Sequence, residues 1–159
     1  MSFLLVKWFH LLGAMILFGT GLGIAFFAWF GSRRALREAD IGLLRGVLSL
    51  TVTADAVFTA TAAVAQPITG LALWRMSGGI WTGTWLWAVL AVYAFVGCCW
   101  LPVVWLQIRL RDAAFAAGGV HQLDATFHRR FALWFVLGWP AFMAVLALLG
   151  LMLTRGYFA

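Results

Sequence analysis

Acidic side chains are nearly missing from this sequence: five Asp and Glu stand among 159 residues. Charged residues of all kinds make up 10% of the chain, where a water-soluble domain carries about 25%. That scarcity excludes a soluble globular fold. With 65% hydrophobic residues and a mean hydropathy of +1.00, a chain of this length cannot hide its apolar surface from water. Cysteine is scarce too. Cys98 and Cys99 are adjacent in an apolar run, so there is no disulfide framework and no CxxC motif. They read as buried structural thiols. No nucleophile–base pair, phosphate loop or zinc motif is found, which removes the usual signatures of a general enzyme. The net charge of +6 comes from basic residues that flank apolar runs. Anionic lipid headgroups explain such placement and nucleic acid does not.

What the sequence does hold is four long apolar runs, at about 3–30, 47–74, 85–108 and 131–153. Each is long enough to cross about 30 Å of hydrocarbon. The first is too long for the core of a signal peptide and no clean cleavage site follows it, so it is expected to be retained. The connections are short and leave no room for a soluble domain. The expected fold is therefore all-α: a polytopic, antiparallel four-helix transmembrane bundle forming one domain over residues 1–159.

The two longer connections carry Arg33, Arg34, Arg37 and Arg45, and Arg109, Arg111, Arg129 and Arg130. The other side offers Lys7, Arg75 and Arg155. The positive-inside rule then places the arginine-rich connections in the cytoplasm and both termini outside. Trp29, Trp74, Trp81, Trp85, Trp105 and Trp134 fall near helix ends, as an aromatic belt requires.

Within the first run, His10 is the one histidine inside apolar sequence. An ionisable side chain there is a candidate functional group. Gly13, Ala14, Leu17 and Gly21 share its helical side and form a groove for a neighbouring helix or a flat ligand such as a porphyrin or quinone. Gly19-xxx-Gly23 fits close helix packing. Lys7, one turn nearer the helix end, either snorkels outward or holds an anionic group such as a propionate. In the second run Asp55, Thr59, Ala62, Gln66 and Gly70 form a small, polar stripe that faces the bundle interior. Gln66 lies near the depth of His10, beside a bound cofactor or hydrogen-bonded to the histidine as an interhelical clamp. Pro67 lacks an N–H and should kink the helix or free a carbonyl. Asp55 is a proton-relay candidate or a partner for an inner-boundary arginine, the second being favoured.

The third run carries Tyr93, Trp100 and Pro102 and no Lys or His. The fourth carries Trp139, Pro140 and Met143 and no ionisable residue in its middle. Before it, His121, Asp124 and His128 recur at i, i+3, i+7 on one helical face. They are a metal-site candidate, although a solvated turn is the stronger expectation. These histidines lie across the membrane from His10, too far to share a haem with it in one chain.

The residues Lys7-x-x-His10, Phe18-Gly-Thr-Gly-Leu-Gly23 and Gln66-Pro-Ile-Thr-Gly70 resemble a bacterial family of four-helix integral-membrane proteins of unknown function, over nearly the whole chain. The resemblance implies a bacterial inner membrane. More distantly, the first helix resembles the HemJ-type protoporphyrinogen oxidases and the copper-resistance D family. The HemJ-type helix also opens Lys-x-x-His, and its histidine is taken to bind haem b, a role that maps here onto His10. Those enzymes carry a functional lysine in the third helix and this chain has none, so their oxidase chemistry does not carry over with the histidine.

Three functions follow as expectations. One is a small haem-b-binding protein with a redox or electron-transfer role. His10 would be the axial ligand near the outer face, Lys7, Gly13, Ala14, Gly21, Gln66 and Gly70 would surround the cofactor, and a quinol or porphyrin would be the redox partner. With one candidate histidine per chain, the iron would be five-coordinate, weakly six-coordinate or shared across a homodimer. The alternative is a non-catalytic accessory or scaffold protein in a larger membrane complex, with His10 and Gln66 as a structural polar clamp. Copper handling is third and weakest, since clustered Met or His ligands are missing and Met76 stands nearly alone.

Overall fold

A computed structural model describes residues 1–79 and 83–154. Among the described residues every regular element is helical. The long helices are α1 (Ser2–Arg37), α2 (Ile41–Met76), α3 (Thr84–Ala116) and α4 (Ala125–Leu153), each long and apolar enough to cross a membrane. A short 3-10 turn, Val120–Gln122, lies between α3 and α4. The four-helix membrane bundle expected from the apolar runs is the observed architecture. Trp81 and Arg155, assigned above to the aromatic belt and the terminal side, lie outside the described residues.

The helices overrun the apolar runs at the arginine-rich end, and this corrects the expected boundaries. The arginines sit on helical extensions rather than in loops. Hydropathy marks where hydrocarbon ends, but a helix continues into water wherever its residues favour it, and arginine is a good helix former. At 36 residues, α1 is about 54 Å long, well beyond a hydrocarbon layer of about 30 Å.

The turns at this end are tight. Asp40 caps α2 by accepting the Leu43 N–H at 2.9 Å, and Asp124 caps α4 by accepting the Phe127 N–H at 2.9 Å. Between α1 and α2, Ala39 takes a left-handed conformation at φ 53° while the Asp40 N–H returns to the Ala35 carbonyl at 2.9 Å. Arg45 reaches from α2 to the end of α3, donating through Nε to the Ala114 carbonyl at 3.0 Å and through a terminal nitrogen to the Ala117 carbonyl at 2.6 Å. A cation on the last carbonyls of a helix satisfies orphan acceptors and opposes the negative end of its dipole.

The close-packed core also lies at this end. Ala28 and Ala35 of α1, Leu44 and Leu48 of α2, Leu106 and Leu110 of α3, and Phe127 and Phe131 of α4 are buried together. Part of this core stands beyond the hydrocarbon, where water drives apolar burial. Each buried Leu or Phe contributes about 1.5–3 kcal/mol there. Inside the bilayer that drive is absent, because lipid tails are as apolar as leucine.

Towards the terminal end the bundle opens. α3 and α4 stay packed on one another, and the second half of α2 stays on α1, with at most marginal contact to α3. The Trp85 indole donates to the Leu151 carbonyl at 2.9 Å and ties α3 to α4 near their outer ends. Trp134 departs from the aromatic-belt expectation: it is 5% exposed and stacked on Phe131. The Gly19-xxx-Gly23 pattern does not mark packing within the chain, since a Cβ at either glycine would meet nothing within 4 Å. Cys98 is exposed and Cys99 half-buried, so neither is the buried thiol expected.

Candidate functional site

Where the two helix pairs separate they enclose a cavity of about 1140 Å³ with walls from all four helices. His10, Ala14, Gly21, Gln66, Gly70 and Asp55 line it, which unites most of the residues singled out from the sequence. Lys7 and Gly13 are not among the lining residues. Lys7 is exposed one turn nearer the end of α1. Gly13 is buried, and a Cβ there would stand 2.5 Å from Gln66 Nε2. Gly13 therefore gives the Gln66 amide its seat between α1 and α2 instead of widening a ligand groove.

The seated amide donates to the His10 backbone carbonyl at 2.9 Å, not to the imidazole. The imidazole partner is Thr69, whose Oγ1 lies 2.7 Å from His10 Nδ1. The same hydroxyl bonds backward along α2, 2.8 Å from the Ala65 carbonyl and 3.2 Å from the Gln66 carbonyl. A hydroxyl has one hydrogen to give. When that hydrogen goes to α2, the oxygen accepts from His10, in the tautomer that carries its proton on Nδ1 and leaves Nε2 a lone pair. Gly70 makes room for the ring: a Cβ there would be 3.4 Å from His10 Cε1.

Two residues before Thr69, Pro67 acts as its missing N–H dictates. The carbonyl it leaves unbonded, four residues back, is that of Ala63. Tyr93 of α3 donates its hydroxyl to this carbonyl, bridging α3 to the second half of α2, which otherwise makes at most marginal contact with it.

Further towards the arginine end α2 widens into a π-turn over Asp55–Thr59. Such bulges re-aim side chains and recur at functional sites. Asp55 is 5% exposed. Its Oδ1 accepts from Trp100 Nε1 at 3.3 Å and the Thr59 hydroxyl lies beside the carboxyl, while Oδ2 makes no well-formed hydrogen bond among the described residues. The arginine pairing favoured from sequence is not made. The ion pairs among the described residues are Arg34–Glu38 and Arg111–Asp112, both near the surface. Asp55 sits too far inside α2, and the arginines too far out on their extensions, for a bridge.

His121, Asp124 and His128 do not share a helical face, because α4 begins only at Ala125 and Asp124 is its cap. Among the described residues no group of three His, Cys, Asp or Glu side chains is placed to hold a metal ion. The Phe127 N–H holds the Asp124 carboxyl below its ordinary pKa.

Thr69, Gln107 and Trp134 have site positions that sequence reasoning missed. Thr69 had a signal: it follows Gln66 by one helical turn and so shares its face. Gln107 and Trp134 had none beyond being polar atoms in apolar runs.

A family model described as "Predicted integral membrane protein (DUF2269)" matches residues 4–156, nearly the whole chain. No curated protein and no solved structure matches it.

Proposed function

The chain belongs to this family of predicted integral membrane proteins, and from the cavity between its helices we propose that it is a small haem-b-binding protein with a redox role, His10 being the axial ligand. The observation that carries this is the His10–Thr69 contact of 2.7 Å. An imidazole that ligates iron offers one bare nitrogen and donates its other N–H to a fixed partner, which sets the tautomer and the ring plane. In the Nδ1–H tautomer Thr69 would do this, and Nε2 of the cavity-lining His10 would be the bare nitrogen. The surroundings suit a porphyrin. The walls are overwhelmingly apolar, with Ala14, Gly21 and Gly70 among their small residues, and the volume is that of a large ligand site.

Haem, when bound, supplies a one-electron couple. The chain's own part is to hold and orient it. His10 would hold the iron, while Thr69 holds the His10 ring and Gln66 holds its backbone carbonyl. Lys7, exposed one turn away on α1, would meet a propionate near the membrane surface. The arginine-rich end would face the cytoplasm of a bacterial inner membrane, by the excess of arginine there, so the haem would lie near the outer face. The first-helix resemblance to HemJ-type oxidases agrees with the ligand, while α3 without lysine speaks against their reaction.

One observation favours the scaffold alternative. Gln66 and the Thr69 hydroxyl are already satisfied across α1 and α2, so the polar pair also works as a clamp with nothing bound. An absorbance spectrum of the detergent-purified protein, before and after dithionite, decides between them. A Soret band with reduced α and β bands, lost in His10→Ala, is expected. A protein that stays colourless after haem supplementation overturns the haem proposal and leaves the clamp.

A further inference from the structure

The cavity has a second polar end, remote from His10. Asp55 Oδ2, Gln107 Oε1 and Trp134 Nε1 are buried and make no well-formed hydrogen bond among the described residues, and all three residues line the cavity. Their exposures are 5%, 3% and 5%. Buried polar atoms are rarely left unpaired in native proteins, and each orphan calls for an explanation. These orphans come from α2, α3 and α4 around one cavity, and a ligand that reaches all of them would satisfy them together.

The chemistry of that ligand follows from the donor set. A carboxylate and an amide oxygen accept, and an indole N–H donates. A metal cation suits the two oxygens but not the N–H aimed at it. An anion suits the N–H but not the carboxylate. A hydroxyl both gives and takes, and suits all three. The polar atoms also stand at two levels. Asp55 is level with Trp100, which bonds it, and Gln107 lies seven residues along α3, about 10 Å away by helical rise. An alcohol with one hydroxyl serves one level, whereas a ring with hydroxyls at opposite ends serves both. The indoles of Trp100 and Trp134 line the same cavity.

The route in is lateral. Val64 and Ile68 of α2 and Leu90 and Leu101 of α3 line the cavity yet are 64%, 62%, 48% and 63% exposed. The gap they frame opens where acyl chains lie, so an apolar tail can remain in the membrane while a head group sits inside.

We propose that the inner end of the cavity binds the head of a lipid-soluble para-hydroquinone. Asp55 and Gln107 accept its hydroxyl hydrogens, Trp134 donates to a ring oxygen, and the tail leaves between α2 and α3. This deepens the redox reading by naming the class of its partner, and it rests on that reading only for what the bound molecule does next.

The test is retention of decylubiquinol by detergent-purified protein held on affinity resin, loaded under argon and washed with quinol-free detergent, with haem absorbance read on the same samples. Close to one quinol per wild-type chain is expected. Retention should fall at least tenfold in Gln107→Leu and in Trp134→Phe, and should be undiminished in His10→Ala. Excess farnesol should fail to compete. Equal retention by wild type and both variants, or none by wild type, overturns the inference, and full competition by farnesol overturns the two-hydroxyl assignment. Should one variant fail to fold, the other carries the comparison. Quinol kept by a colourless protein sinks the haem proposal alone, and haem kept without quinol sinks this inference alone.

Discussion

Tyr93 of α3 gives its hydroxyl hydrogen to the Ala63 carbonyl of α2, the carbonyl that Pro67 leaves without a helical partner. A residue that breaks a helix bond and a residue that replaces it from across the cavity form one unit. Tyr93→Phe should destabilise the bundle by about 0.6–1.7 kcal/mol, the range for interhelical hydrogen bonds in membranes. In a Pro67→Ala background the new N–H reclaims Ala63, so the same substitution should cost little. A double-mutant cycle in unfolding free energy measures the coupling. Equal costs in both backgrounds would show that the tyrosine bond is independent of the proline.

Thr69 is expected to act on haem without touching it. Thr69→Val keeps the volume but removes the acceptor at Nδ1, and should weaken haem affinity about 10–100-fold. Thr69→Ser should retain most of it. Haemin titration followed at the Soret band distinguishes this from unfolding, which would lower both variants alike.

At Gly13 the issue is space. Gly13→Ala puts a methyl group 2.5 Å from Gln66 Nε2, the far end of a flexible side chain, so the amide should shift and give up its bond to the His10 carbonyl, a loss of about 0.6–1.7 kcal/mol. In a Gln66→Ala background, which already lacks that bond, Gly13→Ala should cost little, measurable as an unchanged melting temperature. Additive losses would mean that the glycine serves something other than the amide.

The cap of α4 carries a pH dependence whose sign is set by Asp124. Its carboxyl pKa is lowered in the fold, chiefly by the Phe127 N–H. The stabilisation is therefore complete above the unfolded carboxylate pKa and is lost as pH falls through the lower folded value. Asp124→Asn also caps a helix but does not titrate. Its thermal stability should be flatter than wild type through the acid range, with little difference at neutral pH.

The sequence made the spans legible because hydrocarbon demands one property from every lipid-facing residue. It placed His10, Gln66 and Gly70 together for a related reason: helices of known direction have depths that can be counted by rise. Depth does not say which atom of a residue bonds. Gln66 therefore met the His10 backbone rather than its ring, and Thr69, on the same turn, took the imidazole. The helix ends were missed where hydropathy and helicity separate, at Arg33–Arg37 and Arg45. Asp55 was misassigned to an arginine because the π-turn and the Trp100 indole leave no trace in apolar periodicity. Trp134 was read as belt because its distance from the helix start fits the interface, while its burial against Phe131 is decided by α3.

The core at Leu44, Leu110 and Phe127 is close-packed and the half that holds His10 is not. The bundle is thus clamped at one end, like tweezers, and towards the other it is spanned by scattered contacts such as Tyr93–Ala63 and Phe18–Phe142, so pressure from the side would act on its width. In a bilayer that is lateral pressure, so acyl-chain length and packing become inputs to the site. A membrane that squeezes α2 towards α3 narrows the opening between Ile68 and Leu90, and a detergent micelle lets it relax.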